Sequence, residues 1–151
     1  MNMPFARHGE ICASIVLLVG SYVQERGLGR VICNDAGVIT ERDPDTVRGA
    51  DVAYYSYTRV PQGPMPRGYP PQPPNLVFEV RSPGDRWRDV LAKVLEYLDA
   101  GVTAVCIIDE MLQTARVYSA EQPDRTLQGD EELTFPEILG DFRITVQRLF
   151  V

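Results

Sequence analysis

The sequence predicts an α/β fold in which helices flank a mixed β-sheet. Its 151 residues fit one domain spanning 1–151, and 44% of them are hydrophobic, which is enough to form a buried core. The order of the periodic segments supports the same fold class. A helical pattern and three strand patterns are followed by a strand, a helix and two more strands, which is typical of a mixed sheet covered by helices.

A helix is predicted first, over residues 6–26. Apolar side chains recur there at helical spacing, at Ile11, Ile15, Val19 and Tyr22. His8 falls on the same face, where a lone histidine is more often a hydrogen-bonded packing residue than a ligand. The apolar run is far shorter than the roughly 20 residues that cross a bilayer, so we expect no membrane association.

Three strands are predicted after this helix. The segments 30–33 and 37–40 flank Asn34-Asp35, a dipeptide typical of turns, so we expect a short hairpin there. A third strand follows at 48–57, where β-branched and aromatic residues favour an extended backbone.

The segment 60–74 is rich in proline. It contains seven prolines, which lack a backbone donor and fix φ, so neither a helix nor an inner strand is expected. We interpret it as an extended surface loop within one domain, because the segments on either side look too small to fold alone.

The second half predicts a strand, a helix and two more strands. An apolar strand at 75–81 leads through a turn to a helix with Asp85 as its N-cap and an end near Ala100. The uninterrupted apolar segment 102–109 is expected at the sheet centre, with a strand at 114–119 after it. The apolar arc of the helix consists of Trp87, Val90, Leu91, Val94 and Leu98. Shorter elements are predicted around Leu127, Leu133 and 142–149.

Charge and cysteine usage limit the classes of function. The net charge of −6 argues against a broad basic surface for nucleic acid, although acids gathered around a metal would also lower it. Basic residues do cluster locally, at Arg81, Arg86 and Arg88. The cysteines are Cys12, Cys33 and Cys106. Their odd number and wide separation predict buried, reduced thiols in a cytoplasmic protein.

Two acidic residues interrupt apolar strands. Glu79 follows Phe78 directly, and Asp51 lies in another strand of bulky apolar residues. A buried carboxylate is costly unless it is paired or bound to a metal. Mg²⁺ is commonly held by one or two carboxylates, so acids on neighbouring strands predict a site for Mg²⁺, with Mn²⁺ as a second possibility.

Basic side chains lie close to these acids. Arg81 shares the face of Glu79, because side chains two apart on a strand point the same way, and it is suited to binding phosphate, as is Arg86. Lys93 lies at the shoulder of the apolar arc of the second long helix, where its ammonium can tip toward the sheet edge and stabilise charge.

Each residue also has an ordinary structural explanation. Glu79 and Arg81 could form a plain ion pair, and Asp51 could cap a turn. Lys93 could pair with Asp89 four residues earlier, which is a common exposed contact on a helix. The pattern alone leaves both interpretations open.

A longer motif connects these residues. The run Glu79-Val80-Arg81-Ser82-Pro83 is followed by Asp89, Lys93, Tyr97, Gly101-Val102 and Ile107-Ile108-Asp109. With Asp51-Val52 upstream, the order resembles the Uma2 (Uma-two) family of putative restriction endonucleases, within the PD-(D/E)XK nuclease-like superfamily. The resemblance covers nearly the whole chain, and its central run is the most specific part.

The resemblance implies a restriction-endonuclease-like fold, a homodimer and Mg²⁺-dependent hydrolysis of phosphodiester bonds in DNA. By position, Asp51 and Glu79 match the two metal-binding acids, and the Val80 carbonyl is a further ligand. Lys93 matches a catalytic lysine that has moved from the strand to the helix.

Two other functions stay open. The family carries an earlier segment, with a Glu-Leu pair and a Gly, that has no match here, so a catalytically inactive interaction domain with the same fold is one alternative. The other is a small-molecule binder with the proline-rich loop as its lid, which has only Tyr54, Tyr55, Tyr57 and Tyr69 in its favour.

Overall fold

The structure is a computed structural model that describes residues 3–151. One sheet contains six strands in chain order, namely β1 (Gly29–Glu41), β2 (Thr46–Ser56), β3 (Leu76–Arg81), β4 (Ala104–Asp109), β5 (Thr114–Ser119) and β6 (Arg125–Gln128). β3 and β4 are parallel, and the other neighbours are antiparallel. The predicted mixed sheet is therefore confirmed.

The remaining elements pack against this sheet. They are α1 (Ala6–Ile15), a π-helical turn (Val16–Gly20), α2 (Ser21–Arg26), α3 (Trp87–Asp99), α4 (Pro136–Leu139), the short strands β7 (Glu132–Thr134) and β8 (Arg143–Thr145), and a 3-10 helix (Val146–Phe150). Within residues 3–151, no helix is both long and apolar enough to cross a membrane.

The first helical segment has the predicted extent but is not a uniform α-helix. Its fully buried side chains, Ile11, Ile15, Val19 and Val23, are spaced every four residues. In an α-helix each such step rotates about 40° beyond a full turn, so the buried stripe would drift away from the sheet. The wider π-helical turn between α1 and α2 counteracts that drift and keeps the stripe on one face.

The first two strands form a longer hairpin than expected. β1 continues through Asn34 and Asp35, which have φ values of 69° and 55° and lie opposite the single residue Asp51. The predicted turn at Asn34-Asp35 is wrong, because these residues form a β-bulge, where Asn and Asp tolerate the same left-handed backbone. The chain reverses instead at residues 42–45.

The unit of β3, α3 and β4 forms the sheet centre, and every residue of β4 is buried as predicted. Two details of the predicted helix are wrong. The N-cap position is Arg86, whereas the Asp85 carboxylate accepts the Ser82 N–H at 2.8 Å and closes the preceding turn. Leu91 is exposed, because α3 turns Tyr97 toward the sheet instead.

The sheet separates two hydrophobic cores. On one face, α1, α2 and the C-terminal elements pack against the sheet, and Ile11 of α1 and Phe78 of β3 belong to the same core. On the other face, α3 and the proline-rich loop cover Val77. Because strand side chains alternate, Glu79 lies on the α3 face with Val77, opposite to Phe78, and contacts Tyr97 there.

The proline-rich loop contains neither helix nor strand, as predicted. Its end is fastened to the sheet by the half-buried Arg59 guanidinium, whose pKa is lowered by burial. The guanidinium donates hydrogen bonds of 2.8 to 3.1 Å to the carbonyls of Pro73, Pro74 and Gly101 and to the Thr103 hydroxyl. Hydrogen bonds from a charged group are the strong ones, so Arg59 determines where the loop lies.

We expect Arg59→Ala to lower the free energy of unfolding by about 2–4 kcal/mol, because it removes charge-assisted hydrogen bonds and leaves carbonyls without a partner. Urea denaturation measures this change. Arg42→Ala removes an exposed ion pair with Asp45 and is the matched control, with an expected loss below about 1 kcal/mol. Equal losses for the two variants would contradict the role given to Arg59.

Candidate active site

β2 and β3 separate at the place where the two predicted acids lie. Their ladder consists of three residue pairs and ends at Val52 and Phe78. One residue beyond it, the Asp51 carboxylate accepts the Val80 N–H at 2.8 Å, in the position that a strand carbonyl would otherwise take. We call this opening, formed by Asp51, Glu79 and Val80, the strand fork.

Glu79 lies at the strand fork on the α3 face and is largely buried. Its Oε1 atom is 3.0 Å from the Lys93 ammonium and 2.8 Å from the Tyr97 hydroxyl. Burial raises the pKa of Glu79 to about 8, and Asp51 adds to the rise, whereas Lys93 and Tyr97 oppose it. The carboxylate therefore lies in an environment that favours a further positive charge.

Lys93 and Tyr97 are one helical turn apart on α3, and both contact the Glu79 carboxylate and the Gly49 carbonyl. The Lys93 ammonium donates to the Gly49 carbonyl at 3.0 Å, and the Tyr97 hydroxyl lies 3.3 Å from the same oxygen. Lys93 thus bonds to Glu79 and Gly49, not to Asp89 as the ordinary helix pairing would have it. Burial, with Glu79 beside it, raises the pKa of Tyr97, so its hydroxyl stays protonated and can donate.

On the other face of the sheet, α1 brings two side chains to Asp51. The His8 Nε2 atom is 3.3 Å from the Asp51 carboxylate, and the Cys12 Sγ atom is 3.7 Å from His8 Nδ1. Burial, with Asp51 and Glu79 nearby, raises the pKa of the Cys12 thiol to about 12. Asp51 thus borders the cavity on the α1 side, whereas Glu79 belongs to the α3 face.

The predicted burial of all three cysteines is wrong for one of them. Cys106 is buried in β4 and Cys12 is half-buried, but Cys33 is exposed. Cys33 directly precedes the bulge at Asn34 and Asp35, and its thiol borders the same cavity as Cys12.

Arg81 is engaged in a buried ion pair. Its guanidinium lies 2.7 Å from the carboxylate of Asp109, which is 1% exposed, and stacks over Trp87 at 4.6 Å. The alternative pairing of Arg81 with Glu79 is therefore not formed. The second Asp109 oxygen accepts two backbone N–H groups at 2.9 Å, so this pair closes the ends of β3 and β4.

A cavity of about 300 Å³ leads from solvent to Glu79. Lys93, Arg81 and the exposed Arg86 line it. Asp85 and Asp89 line the cavity as well, so basic and acidic side chains lie together around the opening that leads to Glu79.

The structure brings together four of the residues that the sequence singles out, namely Asp51, Glu79, Val80 and Lys93. Tyr97 had no assigned role in the sequence analysis, although its position four residues after Lys93 places it on the same helix face. The Gly49 carbonyl had no signal at all, because a backbone acceptor cannot be recognised from residue type.

The strand fork has the donor set of a hard divalent cation. Asp51 and Glu79 offer carboxylate oxygens, and the Val80 carbonyl leaves β3 on the same side as the N–H that meets Asp51. Oxygen ligands of this kind suit Mg²⁺ and Mn²⁺, and such an ion would offset the burial of Glu79. The residues therefore fit the metal that the resemblance implies.

Comparison with known proteins identifies the fold and the family of this chain. A crystal structure of a putative nuclease belonging to DUF820 from Anabaena variabilis ATCC 29413 matches with a TM-score of 0.86 and 21% sequence identity, covering 99% of this chain and 83% of that chain. At that identity the match shows the fold, which is that of a nuclease-like α/β domain. The family model Uma2, described as putative restriction endonuclease, matches residues 1–147, and the chain belongs to this family. A comparison with curated proteins finds no match.

We expect Asp51→Ala and Asp51→Asn to differ in stability. Asp51→Ala leaves the buried Val80 N–H without an acceptor and should lower the free energy of unfolding by about 1–3 kcal/mol. Asp51→Asn keeps an oxygen acceptor and removes a charge near Glu79, so its stability should equal or exceed that of the wild type. Urea denaturation of both variants measures the difference.

Asp130→Ala serves as the control for this pair, because Asp130 is exposed and the substitution should change stability by less than about 0.5 kcal/mol. If Asp51→Ala were as stable as Asp51→Asn, the carboxylate would not be needed as an acceptor at the strand fork.

Proposed function

We propose that this chain is a metal-dependent endonuclease that hydrolyses phosphodiester bonds in DNA, with Mg²⁺ as its cofactor and Mn²⁺ as a substitute. The observation that carries the proposal is the strand fork, where Asp51, Glu79 and the Val80 carbonyl lie together beside Lys93. Family membership supports the same reaction class.

Asp51, Glu79 and the Val80 carbonyl would hold the ion. When bound, a divalent ion lowers the pKa of a water molecule and offsets charge that develops on the phosphate. Asp51 is held by the Val80 N–H and Glu79 by the Tyr97 hydroxyl, so both carboxylates are oriented before anything binds.

The basic residues would act on the substrate. Lys93 is the proposed catalytic lysine, because its ammonium lies beside Glu79 and has a flexible stem that can follow a water or a phosphate oxygen. Arg86 is exposed at the mouth of the cavity and is proposed to contact phosphate. Arg81 is proposed to contribute through donors that remain beside its pair with Asp109.

Three further features belong to this proposal. The chain would act as one domain over 1–151 and as a homodimer, as the resemblance implies. DNA would be held by the local cations of the cavity, since the net charge is −6. That acidic charge also favours the second candidate, a nuclease-fold interaction domain without catalysis, and the experiments below separate the two.

The first experiment measures cleavage of linear and supercoiled DNA in Mg²⁺ or Mn²⁺. Glu79→Gln should lower the rate at least about a hundredfold, because it removes a charged ligand while keeping the size of the side chain. Glu121→Gln, an exposed residue away from the strand fork, should cleave like the wild type. Cleavage by Glu79→Gln at the wild-type rate would sink the nuclease proposal.

The second experiment measures Mn²⁺ binding by calorimetry in the absence of DNA. Glu79→Gln should bind at least about tenfold more weakly than the wild type. Lys93→Met should bind as tightly or more tightly, because it removes a cation that competes for Glu79, yet it should cleave DNA poorly. If wild type and Glu79→Gln bound Mn²⁺ equally and neither cleaved DNA, the interaction-domain candidate would replace the nuclease.

A further inference from the structure

We propose that His8, Cys12 and Asp51 form a second cation site, for a borderline transition-metal ion such as Zn²⁺ or Co²⁺, on the α1 face of the strand fork. The proposal concerns residues that the nuclease chemistry leaves unused, apart from Asp51, and it does not depend on DNA cleavage. We call this set the α1 site.

The spacing of the three side chains suits such an ion. One ligand atom from each of His8, Cys12 and Asp51 can be chosen so that all lie within 4.8 Å of one another. The contacts of 3.3 Å from His8 to Asp51 and 3.7 Å from Cys12 to His8 are close to the separations of about 3.3–3.6 Å that tetrahedral zinc bond lengths give. These two contacts use different ring nitrogens, and with one nitrogen as the ligand the three atoms lie within 4.8 Å of one another, so side-chain rotation must bring that nitrogen closer to its second partner.

The chemistry of the donors selects the class of ion. A thiolate and an imidazole are soft or borderline ligands, which favour Zn²⁺ and Co²⁺ over the hard Mg²⁺. The strand fork on the Glu79 side offers oxygen atoms alone. The two faces of the same opening therefore present different donor sets, which meet at Asp51.

The surroundings are suited to an ion with one open position. The α1 site borders a cavity of about 550 Å³. In the part of the chain that the structure describes, Asp35 and Asp51 line this cavity and no lysine or arginine does, so its charged lining is acidic. Three protein ligands beside such a space leave a fourth position for water, as in zinc sites that are not closed.

Binding must release one proton. The Cys12 thiol loses its hydrogen to solvent when the metal–sulfur bond forms, and no electron is transferred. Cys33 borders the same cavity and is exposed, so it is the nearest competing thiol and the natural control.

The test is a Co²⁺ titration of the reduced protein, followed by the near-ultraviolet absorption band of a thiolate bound to cobalt. The wild type should show this band with saturation at one ion per chain. Cys12→Ser should abolish it, and His8→Ala should weaken Co²⁺ binding at least about tenfold. Cys33→Ser should leave the band unchanged. Circular dichroism establishes that each variant is folded, and Cys12→Ala provides a second variant at that position.

Glu79→Gln separates this proposal from the proposed function. It should retain the cobalt–thiolate band even though it loses Mn²⁺ binding and cleavage. Absence of the band in the wild type would overturn the α1 site, and so would a band that depends on Cys33 rather than Cys12. Neither result would bear on the nuclease proposal, which is tested by the effect of Glu79→Gln on Mn²⁺ binding and on DNA cleavage.

Discussion

The hydrogen bond from the Val80 N–H to the Asp51 carboxylate is the interaction on which the strand fork depends. A buried backbone donor needs a partner, and where β2 and β3 separate the partner is a side chain. The sheet can therefore open without leaving that donor unpaired. The bulge at Asn34 and Asp35 lies opposite Asp51, and β1 stays paired with β2 on both sides of it. The two strands can therefore separate because the Asp51 carboxylate replaces the missing backbone acceptor of the Val80 N–H.

Two basic residues near the strand fork differ in their partners and in their exposure to solvent. Arg81 is paired with the fully buried Asp109, and removing either member of such a pair leaves a buried charge that costs several kcal/mol. Lys93 is one-third exposed and shares Glu79 with Tyr97. The buried pair joins the ends of β3 and β4, whereas Lys93, bonded to Glu79 and to the Gly49 carbonyl, places a partly exposed charge at the cavity.

Much of the fold and part of the site could be predicted from the sequence. Glu79 was recognisable because an acid in an apolar strand must be compensated by something. The partner of Lys93 could not be recognised from the sequence. Asp89, four residues earlier on the same helix, was as reasonable a partner as Glu79, because the sequence does not give the rotation of α3 about its axis. The dipeptide Asn34-Asp35 misled for a similar reason, because a turn and a bulge require the same backbone conformation.

The Asp51 side chain has a structural role beside its proposed role as a metal ligand, and this bears on how the sequence can change in evolution. A related protein that no longer hydrolysed its substrate would still need an oxygen acceptor for the Val80 N–H. An acid at this position is therefore not sufficient evidence of catalytic activity. Replacement by asparagine would keep the acceptor for Val80 and remove the negative charge that the proposed ion requires. Among relatives with this fold, asparagine at this position would therefore mark a chain that keeps the sheet without the proposed metal ligand.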